Sequence, residues 1–380
     1  MSRSVKTSKK VKVAIITNIP TFYRQKQWEY YSNCEYFDLT IYYCANIEPG
    51  RHWKIKPSKG VKEVFLKGLS YKSFHFNPGI LKIIFQDYDV FFVGGFGYPS
   101  LIILIVLLKL FKKKWVLIID GISPLKIEEK NLISNVIKKY LIRGANAYFA
   151  NGTLGANYLE NYGIPLDKIF NQYMTVDVDY FKDKGKNSVE FRSKIRTKYG
   201  ITEKTTVLMY AGRLIKHKGV HDLIRVVKHL NNNGHDIKLL VVGDGDFKKE
   251  LKKQAQISTS VIFVGHVSPE EIYNYYYASD IFVLPTYDDP WGLVVNEAMA
   301  CQLPIIVSNA AGCSIDLIEK NGYVITAGNL NELYSAIIDL INKNQNNNYG
   351  KKSFELIRNW TYRDSCKSFL KTLIYCLSNE

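Results

Sequence analysis

The 380-residue chain has only six cysteines (Cys34, Cys44, Cys301, Cys313, Cys366 and Cys376), and no two form a CxxC pair. None has a histidine at metal-ligand spacing, and the seven histidines make no zinc pattern among themselves. A disulfide framework and a structural zinc site are therefore not expected, and reduced thiols in a cytosolic protein are. No apolar stretch is long enough to span a bilayer: the uninterrupted run Leu101–Leu108 falls far short of the ~20 residues required. The opening MSRSVKTSKK is polar and unlike a secretory leader, which again points to the cytoplasm. There is no short internal repeat and no long low-complexity tract, and NQNNN at Asn344–Asn348 reads as a polar turn.

Negative charge is also scarce. Lys and Arg total 51 against 35 Asp and Glu, a net charge of +16. The imbalance is lopsided, with 27 basic and 15 acidic residues in 1–185 but 24 and 20 in 186–380. A one-sided field suits an anionic partner, either nucleic acid or an anionic membrane surface, though a solvated lysine-rich face would look the same. Nucleic-acid binding would need a recognition helix or an aromatic stacking platform, and neither is legible.

A hydrophobic fraction of 47% with 23% charged residues is that of a folded soluble protein, and the length suits two domains. Apolar runs of strand length alternate with helical stretches. Val11–Thr17, Val61–Leu66, Val90–Val93, Trp115–Ile119 and Ala147–Ala150 read as strands, with helices at 99–111, 131–141 and 154–162. Asn18–Arg24 reads as a loop. After a polar stretch around Asp177–Ser188 the alternation restarts, with strands at Thr206–Ala211, Ile237–Val242, Val261–Val264, 280–284 and 304–307. Helices are expected at 220–230, 247–256, 269–278 and 293–300, and one further helix across 353–378. Two consecutive doubly wound α/β units imply two Rossmann-like domains facing across a cleft, 1–185 and 186–361, with the end of the final helical stretch, about 362–380, packing back on the first domain. Residues 99–111 (PSLIILIVLLKLF) read as a buried crossover helix; the following Lys112–Lys114 would equally let it rest on an anionic leaflet.

Two constellations in the second half suit chemistry on an anionic ligand. Gly212-Arg213 and Lys218 lie in the segment YAGRLIKHKG (210–219), where a strand gives way to a glycine-containing loop and a helix. Backbone N–H groups and a helix start attract an anion, and two cations five residues apart can grip a diphosphate and stabilise it as it leaves. The same pair would also pass for surface cations. Downstream, YDDPWGLVVNEAMA (287–300) brings Asp289 and Glu297 around the turn at Gly292, Leu293 and Val294. A carboxylate can accept two hydrogen bonds from a vicinal diol, so ribose and hexose are natural targets. Glu297 sits among apolar neighbours, where an unpaired carboxylate would be costly.

Together with Val241-Val-Gly-Asp-Gly245, Val261-Ile-Phe-Val-Gly265 and Leu303-Pro-Ile-Ile306, these pieces make residues 206–325 resemble the donor domain of the family-four retaining glycosyltransferases of GT-B fold. The resemblance implies that Arg213 and Lys218 hold the donor diphosphate with the 292–294 backbone, that Glu297 takes the ribose, and that Asp289 takes the transferred sugar. The base would lie near Gly265 and His266. It implies a hexosyl transfer with retention, from a nucleotide-diphosphate sugar and without metal or other cofactor. Family members usually have Glu where this chain has Asp289, and many have a His after the fourth strand where Asp120 is the nearest polar residue. The N-terminal pattern around Tyr23, Arg24, Gly95 and Tyr98 resembles members that build bacterial surface polysaccharides, and it places the acceptor there. A lipid-diphosphate-linked acceptor at the inner face of the cell membrane would account for the basic first half. A GT-B sugar-nucleotide epimerase and a non-catalytic basic binding protein are the alternatives. Asp177-Val-Asp179 imitates a metal-binding DxD but lies between the domains, and Gly243-Asp-Gly245 is too short for a dinucleotide fingerprint.

Overall fold

In the parallel strands, valine, isoleucine, leucine and aromatic residues follow one another with little alternation, as burial on both faces of a sheet demands. The computed structural model describes residues 10–47, 57–71, 74–127, 131–256, 259–343 and 348–378. Most of the polar N-terminal stretch and of the Asn344–Asn348 turn lies outside them.

The first sheet contains β1 (Val11–Thr17), β2 (Phe37–Tyr43) and β3 (Lys62–Phe65), while β4 (Leu69–Tyr71) and β5 (Phe74–Phe76) pair as a separate antiparallel hairpin. The first sheet continues with β6 (Val90–Gly94), β7 (Trp115–Ile119), β8 (Ala147–Ala150) and β9 (Ile169–Asn171). Its order is β3-β2-β1-β6-β7-β8-β9, all parallel. The second sheet, β10 (Thr206–Ala211), β11 (Ile237–Val242), β12 (Val261–Gly265), β13 (Ile281–Leu284), β14 (Ile305–Ser308) and β15 (Gly322–Ile325), is likewise parallel and runs β12-β11-β10-β13-β14-β15. Each is a doubly wound sheet that reverses direction beside its first strand.

Packing passes from the first core to the second at Met174, for Met174, Val176, Val178 and Phe181 all join the cluster built on β10–β14. The polarity of 177–188 had suggested a division at 185/186; the apolar residues alternating within it already belong to the second core. The chain then returns. Helix Tyr362–Ser378 inserts Cys366, Phe369, Leu373 and Cys376 into the first core, where Phe369 stacks on Phe92 with centroids 4.4 Å apart. Its start breaks the single helix expected over 353–378 into Asn348–Ile357 and Tyr362–Ser378. Thr361 and Asp364 form a reciprocal cap there, Thr361 Oγ1 accepting from the Asp364 amide at 3.3 Å and Asp364 Oδ2 from the Thr361 amide at 3.2 Å.

The expected loop at Asn18–Arg24 is shorter than that, because helix Phe22–Ser32 begins inside it. Helix Pro99–Leu110 buries Ser100, Leu101, Leu104, Ile105 and Leu108 against the first sheet, as a crossover helix should. No helix among the described residues is long and apolar enough to cross a membrane.

Candidate active site

β10 and β13 are neighbours in the second sheet although β11 and β12 come between them in sequence, so the loops leaving them diverge and open a crevice at the carboxyl edge. Both expected constellations lie on these two loops. After β10 come Gly212 and Arg213, a tight turn over Lys216–Lys218, and Gly219 with φ of 71° at the start of helix Val220–Asn232. A Cβ on Gly219 would lie 1.9 Å from the Pro285 carbonyl, so only glycine lets this loop sit against the exit of β13. That close approach brings the buried Lys218 ammonium to the second loop, where it donates to Asp289 Oδ2 at 2.7 Å and to the Asp288 carbonyl at 3.1 Å. Arg213 is exposed, its carbonyl accepting from Tyr210 Oη at 2.9 Å. Burial pushes the Tyr210 phenol far up; Asp289 adds to this and Arg213 opposes it, so both charges act on one buried ring.

The second loop is fixed from two directions. The Asp289 amide donates to Ala310 O at 3.1 Å and the Gly312 amide to Asp289 O at 2.9 Å, while Asp289 Oδ1 accepts from the Trp291 amide at 3.1 Å. Gly292, with φ of 93°, turns the chain into helix Leu293–Ala300, leaving the Leu293 and Val294 amides in its first turn without helical acceptors. One turn on, Glu297 Oε2 accepts from Tyr276 Oη at 2.7 Å. Burial nevertheless raises the Glu297 carboxyl to about 7, the Tyr276 bond only partly opposing it. Gly265, with φ of 89°, ends β12 with open space on its Cβ side, and His266 beside it is exposed. Thus Gly212, Arg213, Lys218, Gly265, His266, Asp289, Gly292 and Glu297 all lie on or just beyond the carboxyl ends of β10, β12 and β13.

The two decoy motifs have structural explanations. A Cβ on Gly243 would lie 1.9 Å from Gly212 O and one on Gly245 2.5 Å from Leu214 O, so this Gly-Asp-Gly packs one loop on another. Asp177 Oδ1 accepts from the Tyr180 amide at 3.0 Å and caps helix Val178–Lys184.

Across the cleft, Asp120 follows β7, and its Oδ1 accepts from Gln172 Nε2 at 3.2 Å and pairs with the Arg24 guanidinium. Arg24 was expected among acceptor-binding residues; instead it is buried, also bonded to Gln27 Oε1 at 2.5 Å, and committed to holding Asp120. Tyr98 Oη accepts from Asn18 Nδ2 at 3.1 Å, Gly95 has φ of 86°, and Tyr23 is half-buried beside Arg24. Tyr23, Gly95 and Tyr98 thus stay at the carboxyl edge of the first sheet.

Several contributors were not read from the sequence. A Cβ on Gly121 would lie 2.3 Å from Pro290 O, so the loop carrying Asp120 abuts the loop carrying Asp289. A Cβ on Gly312 would likewise lie 2.1 Å from Pro290 O, and 3.2 Å from Ile122 O. Asp316 reaches across the domains to Thr153, accepting from its amide at 3.1 Å and its hydroxyl at 2.7 Å. Tyr276 and Asp316 stand in segments without a motif; the glycines were visible but had no neighbour to explain them.

Residues 191–355 match the family model described as glycosyl transferases group 1. Over this segment the chain is similar to the group 1 glycosyl transferases. The chain is also similar to curated relatives. Among them are the capsular polysaccharide biosynthesis glycosyltransferase CapM of Staphylococcus aureus, 29% identical over 157 residues, and a Salmonella typhimurium lipopolysaccharide 1,2-N-acetylglucosaminetransferase, 31% identical over 134. These alignments take in 40% and 32% of this chain and 40% and 35% of those proteins, so the chain matches well under half the length of either. Solved structures match over nearly the whole length. Anabaena HepE in complex with UDP superposes with a TM-score of 0.74 at 18% identity, covering 96% of this chain and all of that one. The lipopolysaccharide outer core galactosyltransferase WaaB gives 0.67 at 14% identity, covering 96% and 99%. The fold of the chain is therefore GT-B.

Proposed function

We propose that this protein transfers a hexose-type sugar, with retention of configuration, from a nucleotide-diphosphate sugar to a glycan or polyprenyl-diphosphate-linked acceptor in cell-surface polysaccharide biosynthesis. The observation that carries the reading is the Lys218–Asp289 pair at the crevice between β10 and β13, flanked by exposed Arg213 and by the helix start at Gly292.

In this reading the donor diphosphate lies against Arg213, Lys218 and the amides of 292–294, which neutralise the charge that grows as it leaves; no metal is required. The ribose diol meets Glu297, and the base lies by Gly265 and His266. Asp289 accepts from hydroxyls of the transferred sugar while its other oxygen stays bonded to the Trp291 amide. The acceptor hydroxyl attacks from the face on which the diphosphate departs, and the departing phosphate takes its proton. Asp120, aimed by Arg24 and Gln172, faces the reacting sugar from the first domain. The UDP in the Anabaena structure supports a nucleoside diphosphate as the ligand class. The capsular and lipopolysaccharide relatives support the polymer class, and the basic first half supports work at the inner membrane face.

The test is a thermal-shift panel of UDP, GDP, ADP and CMP and their sugar conjugates, with and without EDTA. Stabilisation by one nucleoside diphosphate, unaffected by EDTA and lost in Glu297→Ala, is expected. A folded protein that responds to none of them would overturn the donor site in favour of a non-catalytic binding role.

A further inference from the structure

Helix Gly152–Asn161 of the first domain is not capped by its own chain. Its N-cap residue, Asn151, gives the first turn no side-chain bond, because Asn151 Oδ1 accepts from the Met174 amide at 2.8 Å instead. The cap comes from the second domain. Asp316 Oδ1 accepts from the Thr153 hydroxyl at 2.7 Å and from the Thr153 amide at 3.1 Å, and Oδ2 accepts from the same amide at 3.1 Å. Thr153 is the second residue of the helix, so no helical carbonyl reaches its amide, and a carboxylate there also suits the positive end of the helix. The fit is close: a Cβ on Gly152, which has φ of 65°, would lie 2.5 Å from Asp316 Oδ2 and 2.8 Å from Trp291 Cζ3. Burial raises the Asp316 carboxyl above its ordinary value and the Thr153 bonds oppose the rise, so water has been partly stripped from this carboxylate at the contact.

The contact lies on a short bonded path between Asp120 and Asp289. On the first domain, the Asn151 amide donates to Ile119 O at 3.0 Å, which ties the start of the helix to the residue before Asp120. On the second, Asp316 lies in the short helix Ser314–Leu317, and its amide donates to Cys313 O at 3.2 Å. The Cys313 amide donates to Trp291 O at 3.0 Å and the Gly312 amide to Asp289 O at 2.9 Å. Every one of these links is made by the backbone and stays within one domain. The Thr153–Asp316 bonds make the crossing, and the acceptor there is a side chain, which one substitution removes.

We infer that Asp316 is a positioning residue: by capping helix Gly152–Asn161 from the opposite domain, it sets the separation at which Asp120 and Asp289 face one sugar. It acts through Thr153 rather than on the substrate. The role rests on the glycosyl-transfer reading and adds to it the contact that holds the two halves at working distance. A side-chain cap shifts an equilibrium by about tenfold, so its loss moves the two domains toward a more open arrangement by roughly that factor. Nucleotide binding, made by the second domain alone, is left in place.

The test compares Asp316→Ala, Asp316→Asn, Thr153→Ala and the double alanine variant of the full chain. Three quantities are read: UDP or GDP affinity by titration, the rate of sugar transfer, and the radius of gyration by small-angle scattering without nucleotide. Asp316→Ala is expected to keep its nucleotide affinity within about twofold, to transfer about tenfold more slowly, and to show a larger radius. Asp316→Asn keeps Oδ1, which alone reaches both Thr153 groups, and should recover transfer to within about threefold of the native rate. The double variant should be no slower than Asp316→Ala, since both changes remove one contact. If Asp316→Ala does not fold, Thr153→Ala deletes only the hydroxyl bond from the other side and should move rate and radius in the same direction by less. Undiminished transfer in Asp316→Ala, an equal loss of nucleotide affinity, no recovery in Asp316→Asn, or additive losses in the double variant would overturn the role. A native protein that transfers sugar from no donor would remove the glycosyl-transfer reading by itself. The scattering comparison would still decide the cap, and an unchanged radius in Asp316→Ala would overturn it.

Discussion

The Lys218 ammonium lies 2.7 Å from the Asp289 carboxylate, joining the two loops that flank the crevice of the second domain. Each side chain is largely buried, so the pair prepares the site before a donor arrives: the cation is held where a diphosphate would meet it, and the carboxylate is held by the cation and the Trp291 amide.

Removing either partner should therefore have different consequences. Lys218→Ala loses the cation that the leaving diphosphate needs, and turnover is expected to drop by roughly 10²–10³. Nucleoside diphosphate affinity should fall with it. Asp289→Asn keeps the shape of the loop and leaves Lys218 in place, so nucleoside diphosphate affinity should change little while turnover with the sugar conjugate falls. Isothermal titration with the nucleotide beside steady-state rates separates the two. Equal losses of nucleotide affinity in both variants would refute the division of roles.

Glu297 offers a pH test. Its carboxyl stands at about 7 in the folded protein against an ordinary 4.5, so folding favours the protonated form. That stabilising contribution is fully present below about pH 4.5 and is lost as pH rises through about 7. Glu297→Gln keeps a neutral group at all pH values, so its melting temperature should gain on the native protein between pH 5 and 8. The difference should be roughly 3 kcal/mol at most. A constant gap between the two proteins across that range would contradict the assignment.

Much of this was readable because parallel strands buried on both faces leave an unmistakable pattern. Trp115–Ile119, Thr206–Ala211 and Ile237–Val242 run as apolar blocks of strand length, and their edges coincide with the observed strands. The two loops at the crevice were readable because glycine is required where Gly219 nears Pro285 and where Gly292 turns the chain. What escaped was tertiary. Nothing local marks Arg24 as buried, since its ion pair with Asp120 joins residues 96 positions apart. Strand β2 has Asp38 and Thr40 among its apolar residues, and β9 and β15 have only three and four residues, too short for periodicity to separate from loop.

Arg24 and Asp120 give a third prediction. Arg24→Met fits an apolar chain into a buried space but leaves Asp120 without its guanidinium partner. Asp120 is about half exposed and can turn to water, so the protein should fold with a loss of about 1–3 kcal/mol. Because Asp120 is then no longer aimed, turnover should fall while nucleotide affinity, set in the other domain, stays within about twofold of the native value. Chemical denaturation, nucleotide titration and rates measured on one preparation check all three. A matching loss in nucleotide affinity would place Arg24 in the donor site instead.

Gly121 tests whether the abutment of the two loops matters for transfer. A Cβ there would lie 2.3 Å from the Pro290 carbonyl and 3.1 Å from the Trp291 Cβ, and both neighbours are held in place. Pro290 follows Asp289, whose amide donates to Ala310 O at 3.1 Å and whose carbonyl accepts from the Gly312 amide at 2.9 Å, and Trp291 is stacked on Trp360 with its indole N–H on Asn296 Oδ1 at 3.0 Å. The donor loop cannot yield, so Gly121→Ala must push the first domain away. The donor residues all lie on the second domain and should still bind nucleotide. In the proposed mechanism Asp120 and Asp289 face one sugar, and a displacement of about 1 Å at a reacting centre costs on the order of 10²-fold in rate. Gly121→Ala is therefore expected to keep its nucleoside diphosphate shift and its fold yet lose turnover by about that factor. Slow hydrolysis of the donor should rise relative to transfer, because a wedged cleft admits water. Full transfer activity in a folded Gly121→Ala protein would show that the contact between these loops is incidental.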